Sequence, residues 1–195
     1  MISVVIPVVR PEKAARTVSM LYENAGIIDY EVLTEVDDKR IGCPKMVKKL
    51  VSESEGSMVC FLGDDSLPQP GFLKHALEAM RALPDGWGLV GFNDNTGRIL
   101  PTHWLAHKNL LPLLDFEFFH TGYTHCCCDV ELLERCRSIG RYIYAKKAVV
   151  LHDHPILKGD PIIDLDYKRV YSPEVFGMDK LLLAKRRANG WKTEK

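Results

Sequence analysis

The feature that most constrains this chain is an alternation in its first half, where short β-branched runs are each followed by a segment of helical hydrophobic periodicity. Ile2, Val4, Val5, Ile6, Val8 and Val9 form the first run, ended by Arg10 and Pro11, and read as a strand buried on both faces. Pro11 suits a first helical position, Ala14, Ala15, Val18, Leu21, Tyr22 and Ala25 share one face, and Gly26 suits the stop. The cycle repeats with a strand over Tyr30–Val36, a polar turn at 37–42, and a helix opened by Pro44 with Met46, Val47, Leu50 and Val51 inward. A third, most apolar strand spans 57–62, a break follows at 63–71, a helix carries Leu73, Ala76, Leu77, Met80 and Leu83, and a strand at 89–92 closes the series. This βαβαβαβ order predicts an α/β fold, a mostly parallel sheet flanked by helices, with ligands at the carboxyl ends of the strands.

The second half is less regular. An aromatic and histidine-rich stretch at 102–125 precedes a helix at 130–139, a strand at 142–151 and the sequence His152-Asp153-His154-Pro155; six of the seven histidines lie between His103 and His154. A helix at 178–191 carries Leu181, Leu182 and Leu183, then Lys185, Arg186 and Arg187; it caps the sheet by default, with a membrane or partner contact as the alternative. Without repeat, low-complexity run or linker, 1–195 reads as one domain.

Charge excludes one class of partner. Lys plus Arg number 26 against 26 Asp plus Glu, and a nucleic-acid binder would show a basic excess. The balance conceals a tail from 179 to 195 at net +4 against net −4 for 1–178. The six cysteines, three of them consecutive at Cys126, Cys127 and Cys128, match neither a disulfide framework nor a paired zinc site, so a reducing, cytoplasmic location is expected. The apolar stretch 2–9 is interrupted by Pro7 and has no basic residues before it, unlike a signal peptide or membrane span.

Three positions carry the chemistry. Asp64 and Asp65 follow the most apolar strand and suit a hard divalent ion, although paired aspartates also make ordinary turns. His152 and His154 also follow a strand and could complete a Mn²⁺ site, or lie at the surface. Asp129, ahead of Val130, Leu132, Leu133, Cys136 and Ile139, is by its own residues a helix N-cap.

In order and spacing, ISVVIPVVRP, FLGDDSLPQPGFL, CDVELLERCRSIGRYIY and VVLHDHP resemble the family-2-type glycosyltransferases of the GT-A fold, over most of the chain. The resemblance implies a metal-dependent, inverting transfer of a sugar from a nucleoside diphosphate sugar to the hydroxyl of a glycan, lipid-linked or protein acceptor. It places Pro7 and Arg10 by the base or ribose and Asp37 or Asp38 on the same nucleoside. Asp65 would be a ligand of Mn²⁺ or Mg²⁺, Asp64 would lie nearer the ribose or metal-bound water, and His152 or His154 would complete the site. Asp129 would be the catalytic base. It divides the chain into a nucleotide-sugar half (1–100), an acceptor and catalytic half (101–177) and a basic helix (178–195).

Lys45, in a basic cluster with Lys39, Arg40, Lys48 and Lys49, would meet the diphosphate or form a solvated face. His103 and Trp104, with Phe116, Phe118 and Phe119, would form an aromatic shelf for the acceptor, or plain core. A homodimer, and membrane contact through the last helix, are left open. The chain departs from the family in reading Gly63-Asp64-Asp65-Ser66 for a D-x-D motif and Cys-Cys-Cys-Asp where a Glu-Asp pair is common, and its length leaves little for acceptor recognition. The alternatives are a nucleotidyltransferase, against which the glycine-free stretch 8–13 argues, and a non-catalytic nucleotide-sugar-binding module.

Overall fold

A computed structural model describes residues 1–155 and 164–192; the last residues of the basic tail lie outside the described residues. The strands are β1 (Ile2–Val8), β2 (Tyr30–Val36), β3 (Met58–Phe61), β4 (Ser66–Pro68), β5 (Leu89–Asn93), β6 (Trp104–His107) and β7 (Tyr142–His152). The helices are α1 (Pro11–Asn24), α2 (Cys43–Glu53), α3 (Phe72–Met80), α4 (Cys128–Ser138), α5 (Leu165–Val170) and α6 (Pro173–Ala188).

All seven strands join one sheet in the order β2-β1-β3-β6-β5-β7-β4. Strands β1, β2, β3, β5 and β7 run one way, while β6 and β4 oppose their neighbours. The alternation in the first half therefore yields the expected parallel neighbours β2-β1-β3, but β3 and β5 do not touch. Strand β6, hidden in the aromatic and histidine-rich stretch, inserts antiparallel between them. The three residues of β4, read from sequence as part of a turn, pair antiparallel with the end of β7. Pro68 is tolerated there because β4 is an edge strand.

Successive residues of β1 serve opposite faces. Val4 and Ile6 pack with Ala14 and Leu21 of α1 and Phe72, Leu73 and Met80 of α3, whereas Val5 packs with Val47 and Leu50 of α2, Leu132 and Cys136 of α4 and Leu183 of α6. The sheet is thus covered on both sides, as an all-apolar strand requires. On α1 the buried positions are Ala14, Thr17 and Leu21, and Tyr22, expected inward, is exposed.

Trp104 corrects an expectation. It is fully buried in β6, with ring centroids 5.5 Å from Phe61 and 4.9 Å from Phe118, and belongs to the core instead of an acceptor shelf. Truncation, Trp104→Ala, should cost about 3–5 kcal/mol in urea denaturation, the usual range for a large buried aromatic. A variant of undiminished stability would return this side chain to the surface role.

Candidate active site

The carboxyl ends of β1 and β3 meet at one buried carboxylate. Oδ2 of Asp64 accepts from the backbone amides of Val9 (2.8 Å) and Arg10 (2.7 Å), and Oδ1 accepts from the Arg10 guanidinium, whose Nε lies 3.0 Å away. The chain holds this turn from beneath: the Thr17 hydroxyl is 3.0 Å from the Asp64 carbonyl oxygen and 2.7 Å from that of Ser66. Asp64 therefore organises the loop after β1, and its side chain is fully engaged within the protein.

Asp65 points the other way. The pairing of β4 with β7 sets Ser66 opposite His152, and the Asp153 amide donates to the Asp65 carbonyl oxygen at 2.8 Å. His152 Nε2 consequently lies 3.3 Å from Asp65 Oδ1. His103, at the entry to β6, brings a third donor; ligand atoms of Asp65, His103 and His152 all lie within 4.8 Å of one another. Gly63 makes this approach feasible, since a Cβ there would sit 2.9 Å from Asp65 Oδ1 and 3.2 Å from His103 Nε2.

The electrostatics favour a cation at this point. Burial alone would raise the Asp65 carboxyl, but hydrogen bonding and charge from His152, with Arg10 and Tyr167, hold it well below the usual range. Burial pushes His103 down to about 3, so its ring is neutral and has a lone pair to give, and its Nδ1 is buried without a hydrogen-bond partner. One carboxylate and two imidazoles fit a divalent transition ion such as Mn²⁺.

His154 lies beside this set, its ring centroid 5.1 Å from that of His152, in edge-to-face contact with Tyr167 (4.5 Å) and Tyr171 (5.3 Å). The third donor that the geometry supplies is thus His103, expected as an acceptor contact. Tyr167 was not foreseen. Its hydroxyl donates to Asp65 Oδ2, and the Arg10 guanidinium stacks 4.2 Å from its ring centroid. It is carried by α5, a helix too short for periodicity to announce; Asp164, accepting from the Tyr167 amide at 2.9 Å, is the one local sign of a cap.

These groups open onto a cavity of about 860 Å³ lined also by Pro7, Asp37, Asp129 and residues of α6. Asp37 is buried and accepts from the amides of Ile41 (2.8 Å) and Gly42 (2.9 Å), closing the loop before α2. Asp38 and Lys45 are exposed and lie off the cavity wall.

Asp129 faces the same cavity from the first turn of α4. The helix begins two residues earlier than a capping role for Asp129 requires: Cys127 is the N-cap, in left-handed conformation at φ 67°, and Asp129 Oδ1 accepts from the Val130 amide at 2.9 Å. The capping alternative is thereby set aside. Burial pushes the Asp129 carboxyl up to about 6, only partly opposed by the Val130 hydrogen bond. The neighbouring thiols are inert by the same cause, Cys126 being raised to about 12.

No protein-family model and no curated protein sequence matches the chain. Solved structures do. S. aureus TarS 1–349 in complex with UDP is 16% identical with a TM-score of 0.62, covering 99% of this chain and 75% of that one; against the fuller TarS chain this protein spans 45% of the length. Glucosyl-3-phosphoglycerate synthase from Mycobacterium tuberculosis, in complex with Mn²⁺, UDP and phosphoglyceric acid, is 16% identical at TM-score 0.62 over 95% of this chain and 78% of its own. The mannosyltransferase PcManGT from Pyrobaculum calidifontis, in complex with GDP-Man and Mn²⁺, is 13% identical at TM-score 0.62, over 96% and 75%. The chain has the GT-A-type fold of these glycosyltransferases.

The raised Asp129 carboxyl has a sign that stability can test. Between its usual 3.8 and about 6 the native state binds the proton that the unfolded chain has released, so stability from this group falls as pH rises through that window. Asp129→Asn removes the penalty. Its stability relative to wild type in urea should improve from about pH 4 to about pH 7.5 and level off there; a difference independent of pH would mean the carboxyl is not perturbed.

Proposed function

We propose that this protein is a metal-dependent glycosyltransferase that moves a sugar from a nucleoside diphosphate sugar to an acceptor hydroxyl with inversion. The observation that carries the reading is that a cation-suited triad, Asp65, His103 and His152, and a half-buried carboxyl poised near 6, Asp129, face one cavity of about 860 Å³ on the GT-A sheet. The neighbours in complex with UDP, with UDP and Mn²⁺, and with GDP-Man and Mn²⁺ support the donor class.

Asp65, His103 and His152 would hold the metal, with His154 packed behind them. Imidazole ligands favour Mn²⁺ over Mg²⁺, which prefers oxygen. Bound there, the ion supplies neutralisation of the charge that develops on the departing diphosphate. Asp129 accepts the acceptor proton as that oxygen bonds to the anomeric carbon; the bond from this carbon to the diphosphate breaks and the leaving group takes its electron pair. A carboxyl near 6 is ionised at neutral pH yet basic enough to share a proton in the transition state. Pro7 and Asp37 line the cavity where the nucleoside would lie, and residues 1–100, with His103 and His152 added, form the donor half.

Nucleotidyl transfer is less well served. The amides of Val9 and Arg10, the groups that a phosphate loop would offer to a nucleotide, are already bonded to Asp64. The binding-module reading has one observation in its favour: Arg10 and Tyr167 occupy the carboxylates that a donor complex would need.

Thermal shift with UDP- and GDP-sugars, with and without Mn²⁺, separates these cases. The donor should shift the wild type only with metal, and Asp65→Ala and His103→Gln should each lose most of that shift. Asp129→Asn should keep the shift but lose transfer by about a thousandfold, as removal of a general base does. Donor binding without turnover on any acceptor would favour the module, and a product of retained configuration would exclude single displacement.

A further inference from the structure

The base Asp129 is fixed by a helix that contributes nothing to the proposed metal site. Asp179, Leu183 and Arg186 stand four and three residues apart on α6, within two turns, and so share one face; all three are buried. Two charged residues on a buried helix face need a reason, since each costs desolvation. Their partners supply it. The Asp179 carboxylate accepts from three successive backbone amides, Thr124 (2.9 Å), His125 (3.0 Å) and Cys126 (2.8 Å). Seven residues along, the Arg186 guanidinium donates through Nε and Nη2, both at 2.7 Å, to the carboxylate of Glu131, which also accepts from the Tyr123 hydroxyl at 2.8 Å. The left-handed Cys127, the start of α4 and Asp129 lie between these two anchors.

We propose that the Asp179–Arg186 face of α6 is the positioning element for Asp129: Asp179 pins the segment before it, Arg186 the segment after it, and together they fix where the base carboxylate stands in the cavity. This rests on the glycosyl-transfer reading, in which Asp129 is the base. Asp179 and Arg186 are positioning residues, acting through the backbone of 124–131. The arrangement makes a specific division of labour. The donor and metal are held from β1, β2, β3, β6 and β7, while the base is held from α6. Loosening α6 should therefore lower turnover and leave donor binding alone.

The test compares wild type with Asp179→Asn and Asp179→Glu, and with Arg186→Lys as a milder second lesion. Asparagine can accept from the amides with its oxygen but presents an NH₂ to donors; glutamate restores the charge with a longer reach. Amide hydrogen exchange reads the clamp directly, and steady-state kinetics with the donor and Mn²⁺ found in the thermal-shift panel read its consequence. In Asp179→Asn, exchange should accelerate across 124–131 and not at β1 or β3. Its kcat should fall by about tenfold to a hundredfold, the scale of a misplaced catalytic group, at unchanged donor KM. Partial recovery is expected in Asp179→Glu and a smaller fall in Arg186→Lys.

Unchanged exchange at 124–131, or faster exchange with wild-type kcat, would overturn the proposal. So would equal losses in donor KM and kcat, which would make Asp179 merely structural. If the wild type transfers no sugar at all, the glycosyl-transfer reading fails by itself, and a positioning role for a base fails with it; the exchange result then still decides whether Asp179 holds the segment.

Discussion

The architecture of the site depends on the bonding of one buried carboxylate. Asp64 lies in the loop after β3, yet its oxygens are filled by the Val9 and Arg10 amides and the Arg10 guanidinium, all from the end of β1. A carboxylate out of water is tolerable only when its lone pairs are met, and charge-assisted bonds to two amides and an arginine meet them. Because this lock consumes Asp64, its neighbour Asp65 is turned toward β7. Two adjacent and chemically identical residues thereby acquire different work: one closes the floor of the cavity, the other faces His152 and His103.

The opposing strands make that division possible. A purely parallel sheet would bring loops to its carboxyl edge but would not bring His103 and His152 to the same point. Insertion of β6 beside β3 carries His103 to Asp65, and pairing of β4 with β7 carries His152 there, each in a register fixed by backbone hydrogen bonds. The Arg10 guanidinium meanwhile lies against both carboxylates of the acidic pair, and the Tyr167 hydroxyl donates to Asp65. The Tyr167 hydroxyl holds Oδ2 of Asp65, while Oδ1 is the oxygen that faces His152. Asp129 shows the opposite economy. Its carboxylate accepts from the Val130 amide, but burial keeps it near 6, a local cost to folding that a proton acceptor requires.

Much of this was legible in the sequence where periodicity is strong. The apolar β1, the faces of α2 and α3 and the placement of Asp64 and Asp65 after β3 follow from hydrophobic spacing and turn residues, and ordered motifs pointed to the GT-A fold. What escaped notice shares one physical property: it is decided by tertiary pairing. The four residues of β6 and three of β4 have no repeat long enough to declare a strand. Trp104 beside His103 read as a shelf because sequence cannot say that one faces the core and the other the cavity. Tyr167 sits on a six-residue helix, and the buried face of α6 is marked by Asp179 and Arg186, residues that periodicity counts as outward. Gly63 could have given a hint, since a glycine before two aspartates suits close approach as well as a turn.

In the proposed function, Asp65, His103 and His152 form one cation site that receives a nucleoside diphosphate. Pulsed electron paramagnetic resonance of the Mn²⁺-loaded protein with UDP or GDP tests it most directly. Imidazole ¹⁴N couplings and a ³¹P coupling are expected on the same manganese, with one imidazole coupling removed in His103→Gln. A manganese coupled only to water protons, with neither nitrogen nor phosphorus in its shell, would contradict it.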